Sequence, residues 1–301
     1  MAAADLSIGS RLDWINHFIM LNNSVDKNVR ESCGINITQG RILFYIGTHE
    51  SRPIGNVGTS LFLKPSTITA AVNRLVDDGY LSRTYDDLDR RNVYIDITQK
   101  GIDITPNFIP AVTKAFEQDC PSAYPETVDA LTKLLLPASS HIFFDTDEED
   151  IAAIATRIAH DLNLDHSQDE IILHITRVLI IESITFFLSK MTEFERALDL
   201  SPNEARILRV LGNSNNKGMR LKDLSARINI RPNVASLSIR TLTDRNFINR
   251  ACSSKDRRAA CVTLSRKGSR FVHDTKDELC KIFDSCFPGL SSHEYSEFFP
   301  A

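Results

Sequence analysis

Apolar residues recur at helical spacing in two segments of the chain that resemble each other. The segments at 36–46 and 201–211 both place apolar side chains three and four residues apart, which predicts amphipathic helices. They lie within the similar sequences INITQGRIL, from residue 35, and LSPNEARIL, from residue 200. The match continues to Lys100-Gly101 and Lys267-Gly268, where the offset between the copies is 167 residues. The pattern therefore indicates one structural unit that was duplicated and fused.

The next part of each copy predicts a helix-turn-helix. A short apolar segment, at 54–61 or 221–228, is followed by a break and then by Pro65 or Pro232. Proline suits the first position of a helix, because its missing N–H is not needed there. One face of the helix that begins at each proline is then apolar. Its members are Ile68, Ala71, Val72 and Leu75 in the first copy and Ala235, Ser238, Ile239 and Leu242 in the second. Two short helices joined by a tight turn are typical of DNA-binding motifs.

A β-hairpin follows this second helix in both copies. Gly79 and Asn246 suit the left-handed position that ends a helix. Short strands are predicted at 80–81 and 93–97 around the charged tip DDLDRR, and at 247–248 and 261–264 around SSKDRR. Each copy thus reads as a helix-turn-helix with a hairpin, or wing, that carries basic residues at its end.

Long helical segments flank both winged cores. They are 8–34 and 102–136 for the first core, and 147–163, 169–198 and 269–287 for the second. An acidic run, DTDEED, marks the junction between the copies at 145–150. We predict two domains, 1–146 with a winged core at 35–103, and 147–301 with a winged core at 200–268. The fold class is mainly α, with two winged helix-turn-helix domains and a helical body in one chain.

Charged residues are distributed unevenly along the chain. The 301 residues carry a net charge of -4, which taken alone argues against nucleic-acid binding. Residues 200–268, however, hold 15 Lys/Arg against 4 Asp/Glu, and residues 35–103 hold 8 of each. The segment 104–199 holds 6 Lys/Arg against 17 Asp/Glu. Because phosphate neutralisation drives most non-specific affinity for DNA, we expect the second winged core to supply most of the electrostatic attraction.

The order of elements resembles the MarR family of bacterial transcriptional regulators. The residues that carry the resemblance are LSPNEARILRVL at 200–211 and DRR-x5-LS-x2-G at 256–268. The first copy matches with INITQGRILFYI, with PSTITAAVNRLVDDGYL and with DRR-x5-IT-x2-G. The family is usually homodimeric, so this chain resembles a covalent pseudo-dimer, similar in plan to the two-domain staphylococcal Sar-type regulators. The resemblance implies a cytoplasmic repressor whose single chain acts as the dimer, with higher oligomers left open.

The resemblance also implies where double-stranded DNA would bind. The flanking helices would form a dimerisation-like body, and the two non-identical heads would face successive major grooves. Outward positions on the two recognition helices are the candidate contacts, namely Lys64, Ser66, Thr67, Thr69, Asn73, Arg74, Arg231, Asn233, Ser236 and Arg240. Wing residues would reach phosphates or a narrow minor groove, namely Arg90, Arg91, Lys255, Arg257 and Arg258. Ala70, Val234 and Leu237 share the outward faces, and the pattern leaves open whether they are partly buried.

The resembled family often binds a small aromatic or anionic effector between the helical body and the winged core. Candidates for such a cleft are Trp14, His17, Phe18, Phe44, Phe186 and Phe187, although aromatic residues at helical spacing are more often core. Cys252 is the candidate for a redox-sensitive thiol, because the nearby cations Arg250, Lys255 and Arg257 would lower its pKa. An inert, buried cysteine is the commoner case. No cofactor and no metal site is predicted.

Several functional classes are excluded by missing patterns. The sequence contains no P-loop, no G-x-S-x-G and no G-x-G-x-x-G, so we predict that the protein is not an enzyme. The apolar stretch at 178–188 is too short to span a membrane. Six widely spaced cysteines fit a reducing cytosol. The competing hypothesis is a ligand-sensing or protein-binding pseudo-dimer whose first head has lost DNA binding.

Overall fold

The computed structural model describes residues 8–48, 51–85, 92–119, 159–160, 167–214, 218–228, 230–252 and 260–287. The chain forms two compact units. One, the first-core unit, comprises Leu21–Phe186 with His293–Ala301, and the other, the second-core unit, comprises Met1–Met20 with Phe187–Ser292. The predicted domain boundary at 146–147 lies outside the described residues, so the division into 1–146 and 147–301 stays a prediction.

Helices dominate the part of the chain that is described, as the sequence predicts. From the amino terminus the elements are α1 (Ile8–Cys33), α2 (Ile37–Gly47), β1 (Arg52–Pro53), α3 (Ile54–Ser60), α4 (Pro65–Asp77), β2 (Leu81–Tyr85), β3 (Val93–Ile97), α5 (Gln99–Ile104), a 3-10 turn (Thr105–Asn107) and α6 (Phe108–Asp119). They continue with α7 (Gln168–Ala197), α8 (Pro202–Asn213), β4 (Met219–Arg220), α9 (Leu221–Arg227), α10 (Pro232–Asp244), β5 (Ile248–Cys252), β6 (Ala260–Leu264) and α11 (Arg266–Cys286). The two winged helix-turn-helix cores are confirmed. The predicted helical segment at 147–163 lies outside the described residues, except for residues 159–160.

Both copies begin their core with a capping box. The Asn36 side chain accepts a hydrogen bond from the Gln39 amide at 2.9 Å, and the Gln39 side chain accepts one from the Asn36 amide at 3.0 Å. Ser201 and Glu204 form the same reciprocal pair at the start of α8. Each box satisfies two backbone donors that the first helical turn leaves without partners, so these side chains determine where the helices begin.

The second helix of each helix-turn-helix begins and ends as predicted. Pro65 and Pro232 occupy the first turn of α4 and α10. Beyond the carboxyl ends, Gly79 and Asn246 have φ values of 78° and 60°, in the left-handed region. Phe62, in the turn before α4, also has a positive φ of 52°, which is unusual for a bulky side chain. Its ring packs on Phe186 with the centroids 4.2 Å apart, a contact that holds this turn in place.

Each wing belongs to a three-stranded antiparallel sheet, in the order β1-β3-β2 or β4-β6-β5. The hairpin strands are longer than predicted, since β2 extends to Tyr85 and β5 extends to Cys252. Charged and small residues in these stretches hide the alternation that marks a strand, whereas pairing with β3 and β6 organises their backbones. The two-residue strands β1 and β4 were not predicted, because two residues carry no periodicity.

Helix α7 contains the most apolar part of the described chain. Its residues Glu170–Ala197 are long and apolar enough to cross a membrane by length and composition. However, 67% of its most apolar 18-residue window is buried inside the protein, and Glu182 is among the buried residues. A buried core helix satisfies the same criteria, and the burial favours that interpretation.

Candidate nucleic-acid interface

The first recognition helix, α4, separates its apolar and polar residues as the spacing predicts. Ile68, Val72 and Leu75 are buried, while Ala71 is half-buried beside them. The opposite face is exposed and consists of Ser66, Thr67, Thr69, Ala70, Asn73 and Arg74, with the half-buried Lys64 immediately before the helix. The candidate residues of this helix are therefore brought together on one accessible face.

Several polar groups on that face already have partners within the first head. Asn73 accepts a hydrogen bond through Oδ1 from Nη2 of Arg83, on β2. Arg74 forms a salt bridge with Asp78 one helical turn later, with Nε 2.9 Å from the carboxylate. The Thr69 hydroxyl donates to the Pro65 carbonyl at 2.7 Å. These contacts engage Oδ1 of Asn73 and Nε of Arg74.

The second recognition helix, α10, presents a more open face. Ala235, Ser238, Ile239 and Leu242 are buried, as predicted. The outward residues Arg231, Asn233, Leu237 and Arg240 are exposed, while Val234 and Ser236 are half-buried. Within the described ranges, no salt bridge engages Arg231 or Arg240. The two guanidinium groups are thus available to a negatively charged partner.

The offset of 167 residues aligns the two heads position by position. Asn73 and Arg83, which form a hydrogen bond in the first head, correspond to Arg240 and Arg250 in the second. Both second-head residues are exposed. Two positive charges therefore stand where the first head has a neutral amide satisfied by an arginine, and this difference concentrates positive potential on the second head. The sequence pattern does not identify Arg83 or Arg250 as DNA contacts, because the strands it predicts end before these residues.

The wing-tip candidates Arg90, Arg91, Lys255, Arg257 and Arg258 lie outside the described residues. The strands that lead to them are described, and β2 pairs with β3 from Leu81↔Ile97 to Tyr85↔Val93. The backbone of Cys252 lies at the end of β5, and its side chain is outside the description. Among the described cysteines, burial raises the thiol pKa of Cys33 to about 11 and also raises those of Cys280 and Cys286.

Four of the six residues proposed to line an effector cleft are buried in the protein interior. Trp14, Phe18 and Phe187 are buried in the second-core unit, where Phe18 lies 5.0 Å from Phe287 between ring centroids. Phe44 is fully buried in the first-core unit. The remaining candidates are His17, half-buried, and Phe186, which packs on Phe62. Among the residues that the structure describes, no cluster of three His, Cys, Asp or Glu side chains could hold a metal ion.

A cavity of about 460 Å³ lies instead beside α8 in the second-core unit. Its walls are mainly apolar and include Phe271 and Leu279, with the ion pair of Glu195 and Arg209 at one side. Burial raises the pKa of Glu195, and the nearby Arg209 opposes that shift. None of the six aromatic or histidine candidates lines this cavity.

Comparisons with known proteins match two separate regions of the chain. Residues 24–107 match the family model for the transcriptional regulator SarA/Rot, and residues 200–260 match the MarR family. The chain is 38% identical over 63 residues to the regulator SarZ of Staphylococcus saprophyticus, which covers 21% of this chain and 43% of SarZ. It is also 27% identical over 108 residues to the regulator YkoM of Bacillus subtilis, and this aligned segment covers 36% of the chain and 70% of YkoM.

Solved structures with similarity to the chain include a mutant of MarR from E. coli complexed with operator DNA. That match has 21% identity, covers 39% of this chain and 87% of the other, and has a TM-score of 0.35. Another is CouR from Rhodococcus jostii bound to p-coumaroyl-CoA, with 25% identity, 43% and 88% coverage, and a TM-score of 0.35. The family matches fall on the two winged cores, one on each. The two family matches therefore identify a SarA/Rot-type domain at 24–107 and a MarR-type domain at 200–260 within one polypeptide.

Proposed function

We propose that the protein is a sequence-specific DNA-binding transcriptional repressor that applies two non-identical winged heads to successive major grooves of one duplex. The exposed face of α10 carries this proposal. Asn233 and Arg240 lie on this face with the opposite face buried, and the exposed Arg231 lies immediately before the helix. No salt bridge in the described part of the chain neutralises the two arginines. Arginine and asparagine are the side chains that read guanine and adenine edges in the major groove.

The second head supplies most of the electrostatic affinity. Its winged core holds 15 Lys/Arg against 4 Asp/Glu, whereas the first core holds 8 of each. Two polar side chains of the first head also have partners within that head, because Asn73 bonds to Arg83 and Arg74 pairs with Asp78. We infer that the first head contributes less to the attraction of DNA than the second head does. The wing-tip arginines are proposed to contact phosphate or the minor groove.

Salt dependence of binding tests the proposed function. The full chain is titrated into a fluorescent duplex that was selected by the protein from a random pool, at several salt concentrations. The logarithm of the affinity should fall with the logarithm of salt by about 0.9 for each phosphate that the protein neutralises. A slope near zero would overturn the proposal, because a protein that neutralises DNA phosphates releases counterions and therefore binds less tightly as salt rises.

Charge reversal in the two wings tests the asymmetry. Arg257→Glu/Arg258→Glu changes the second wing, and Arg90→Glu/Arg91→Glu makes the matched change in the first. The first wing tip already carries Asp86, Asp87 and Asp89, which weaken its attraction to phosphate. The second double variant should therefore lose more affinity and more of the salt slope. Equal losses in the two variants would refute the asymmetry.

A second candidate function is a sensor or protein-binding pseudo-dimer whose first head does not bind DNA. The internal partners of Asn73 and Arg74 favour it. The helix-capping positions Lys64 and Arg231 provide a matched comparison, because they correspond across the repeat. If the first head binds DNA, Lys64→Glu weakens binding, though less than Arg231→Glu. If it does not, Lys64→Glu leaves the affinity unchanged.

A further inference from the structure

We propose that Leu237 is a specificity-determining residue that contacts the C5 methyl group of a thymine in the half-site of the second head. This inference rests on the proposed function, because it requires α10 to lie in the major groove. It adds an apolar determinant to a face otherwise described by charge and hydrogen bonding.

The exposure of Leu237 is the first observation. Leu237 is 67% exposed, the highest value among the large hydrophobic residues exposed in the described part of the chain. A single exposed leucine is common on protein surfaces. This one, however, lies four residues after Asn233 and three before Arg240, so all three occupy one face of the helix. The residues that pack α10 against the core occupy the opposite face.

Base chemistry identifies the apolar partner. In the major groove, thymine is the base that presents a methyl group, beside the acceptors and donors that arginine and asparagine read. The positive charge of Arg231 and Arg240 draws this face towards DNA, where the leucine between them would meet base edges. Contact with the methyl group would remove apolar surface of both partners from water.

The first copy offers a natural comparison. Ala70 corresponds to Leu237 and is likewise exposed, on the outward face of α4. Its side chain ends at the Cβ atom, so it reaches less far from the helix than leucine does. The thymine preference should therefore be stronger in the half-site of the second head. Unequal apolar side chains at matched positions would make the two half-sites differ in sequence as well as in affinity.

Replacement of thymine by uracil provides the test, since it removes only the C5 methyl group. Each thymine of the selected duplex is replaced in turn, and the affinity of the full chain is measured at one salt concentration. We expect about a fourfold loss at one position, which corresponds to one methyl group removed from water. Leu237→Ala should reduce that loss at the same position. Ala70→Leu should create or enlarge a loss in the other half-site.

The result that overturns the proposal is a flat uracil scan, or a loss at one thymine that persists unchanged in Leu237→Ala. A change in oligomeric state of Leu237→Ala with an unchanged scan would also overturn it, by assigning the side chain to a protein contact. Thermal unfolding of the variant serves as the folding control, and the exposed position predicts an unchanged melting temperature. Failure of this inference leaves salt-dependent binding intact, whereas failure of the proposed function removes that binding altogether.

Discussion

Replacement of Glu182 by glutamine should destabilise the protein far more than any surface substitution. Arg41, on α2, and Glu182, on α7, form an ion pair in the first-core unit with both side chains only 1% exposed. The Arg41 Nε lies 2.7 and 2.8 Å from the two carboxylate oxygens, and Nη2 donates to Glu182 and to the Leu61 carbonyl. Leu61 follows α3, so the same guanidinium stabilises the turn before the recognition helix.

The geometry determines the expected magnitude. In Glu182→Gln the guanidinium of Arg41 stays buried, with the Leu61 carbonyl and one neutral amide oxygen in place of a carboxylate. Removal of one partner from a buried pair costs about 3–5 kcal/mol, because the remaining charge is uncompensated. The double variant Arg41→Met/Glu182→Met removes both charges and should recover most of the loss. Urea unfolding followed by far-UV circular dichroism gives the free energies of unfolding.

Lys27→Ala provides the surface control. Lys27 lies 3.9 Å from Glu31 in an exposed pair on α1, so its loss should change stability by less than about 0.5 kcal/mol. If Glu182→Gln costs no more than this control, the buried pair does not stabilise the first-core unit as argued. If the double variant is as unstable as the single one, packing or hydrogen-bond geometry, rather than uncompensated charge, is responsible.

Three further predictions follow from the described packing. Gly101→Ala should lower the melting temperature of the protein strongly, since a Cβ atom there would lie 2.3 Å from the Tyr80 carbonyl oxygen. The control Gly55→Ala, where nothing lies within 4 Å of the added Cβ atom, should leave the melting temperature unchanged or raise it. Cys33 should resist alkylation by iodoacetamide in native protein at pH 8, because burial raises its thiol pKa to about 11, and fast labelling at pH 8 would refute the shift. The contribution of the protonated thiol to the free energy of unfolding is present below pH 9 and declines as the pH rises towards 11. Asn246→Gly should leave stability unchanged or raise it by about 0.5–1 kcal/mol, because φ there is 60°, and a loss would show that the asparagine side chain matters.

Short-range periodicity was sufficient to predict the faces of the recognition helices. Apolar spacing predicted the buried positions Ile68, Val72 and Leu75, and proline and glycine chemistry predicted where α4 begins and where it ends. These features depend on residues within a few positions of each other. The pairing of Arg41 with Glu182 joins residues 141 positions apart, so no local pattern reveals it.

The sequence could not show whether the aromatic candidates line a ligand pocket or form the core. Trp14 and Phe18 carry no local signal that distinguishes a ligand pocket from a core, and the structure buries both. The cavity beside α8 depends on how α7, α8 and α11 pack in three dimensions. The exposure of Leu237 was left open by the sequence, because a leucine among outward polar residues is compatible with either partial burial or exposure.

A hydroxyl-radical footprint of the full chain on its selected duplex tests the central claim most directly. Two heads on successive major grooves predict two protected windows whose centres lie about 10–10.5 base pairs apart. The window of the second head should be the more strongly protected, and Arg231→Glu should weaken it first. A single window, or two equal windows that respond equally to Arg231→Glu and Lys64→Glu, would contradict an asymmetric pair of DNA-binding heads.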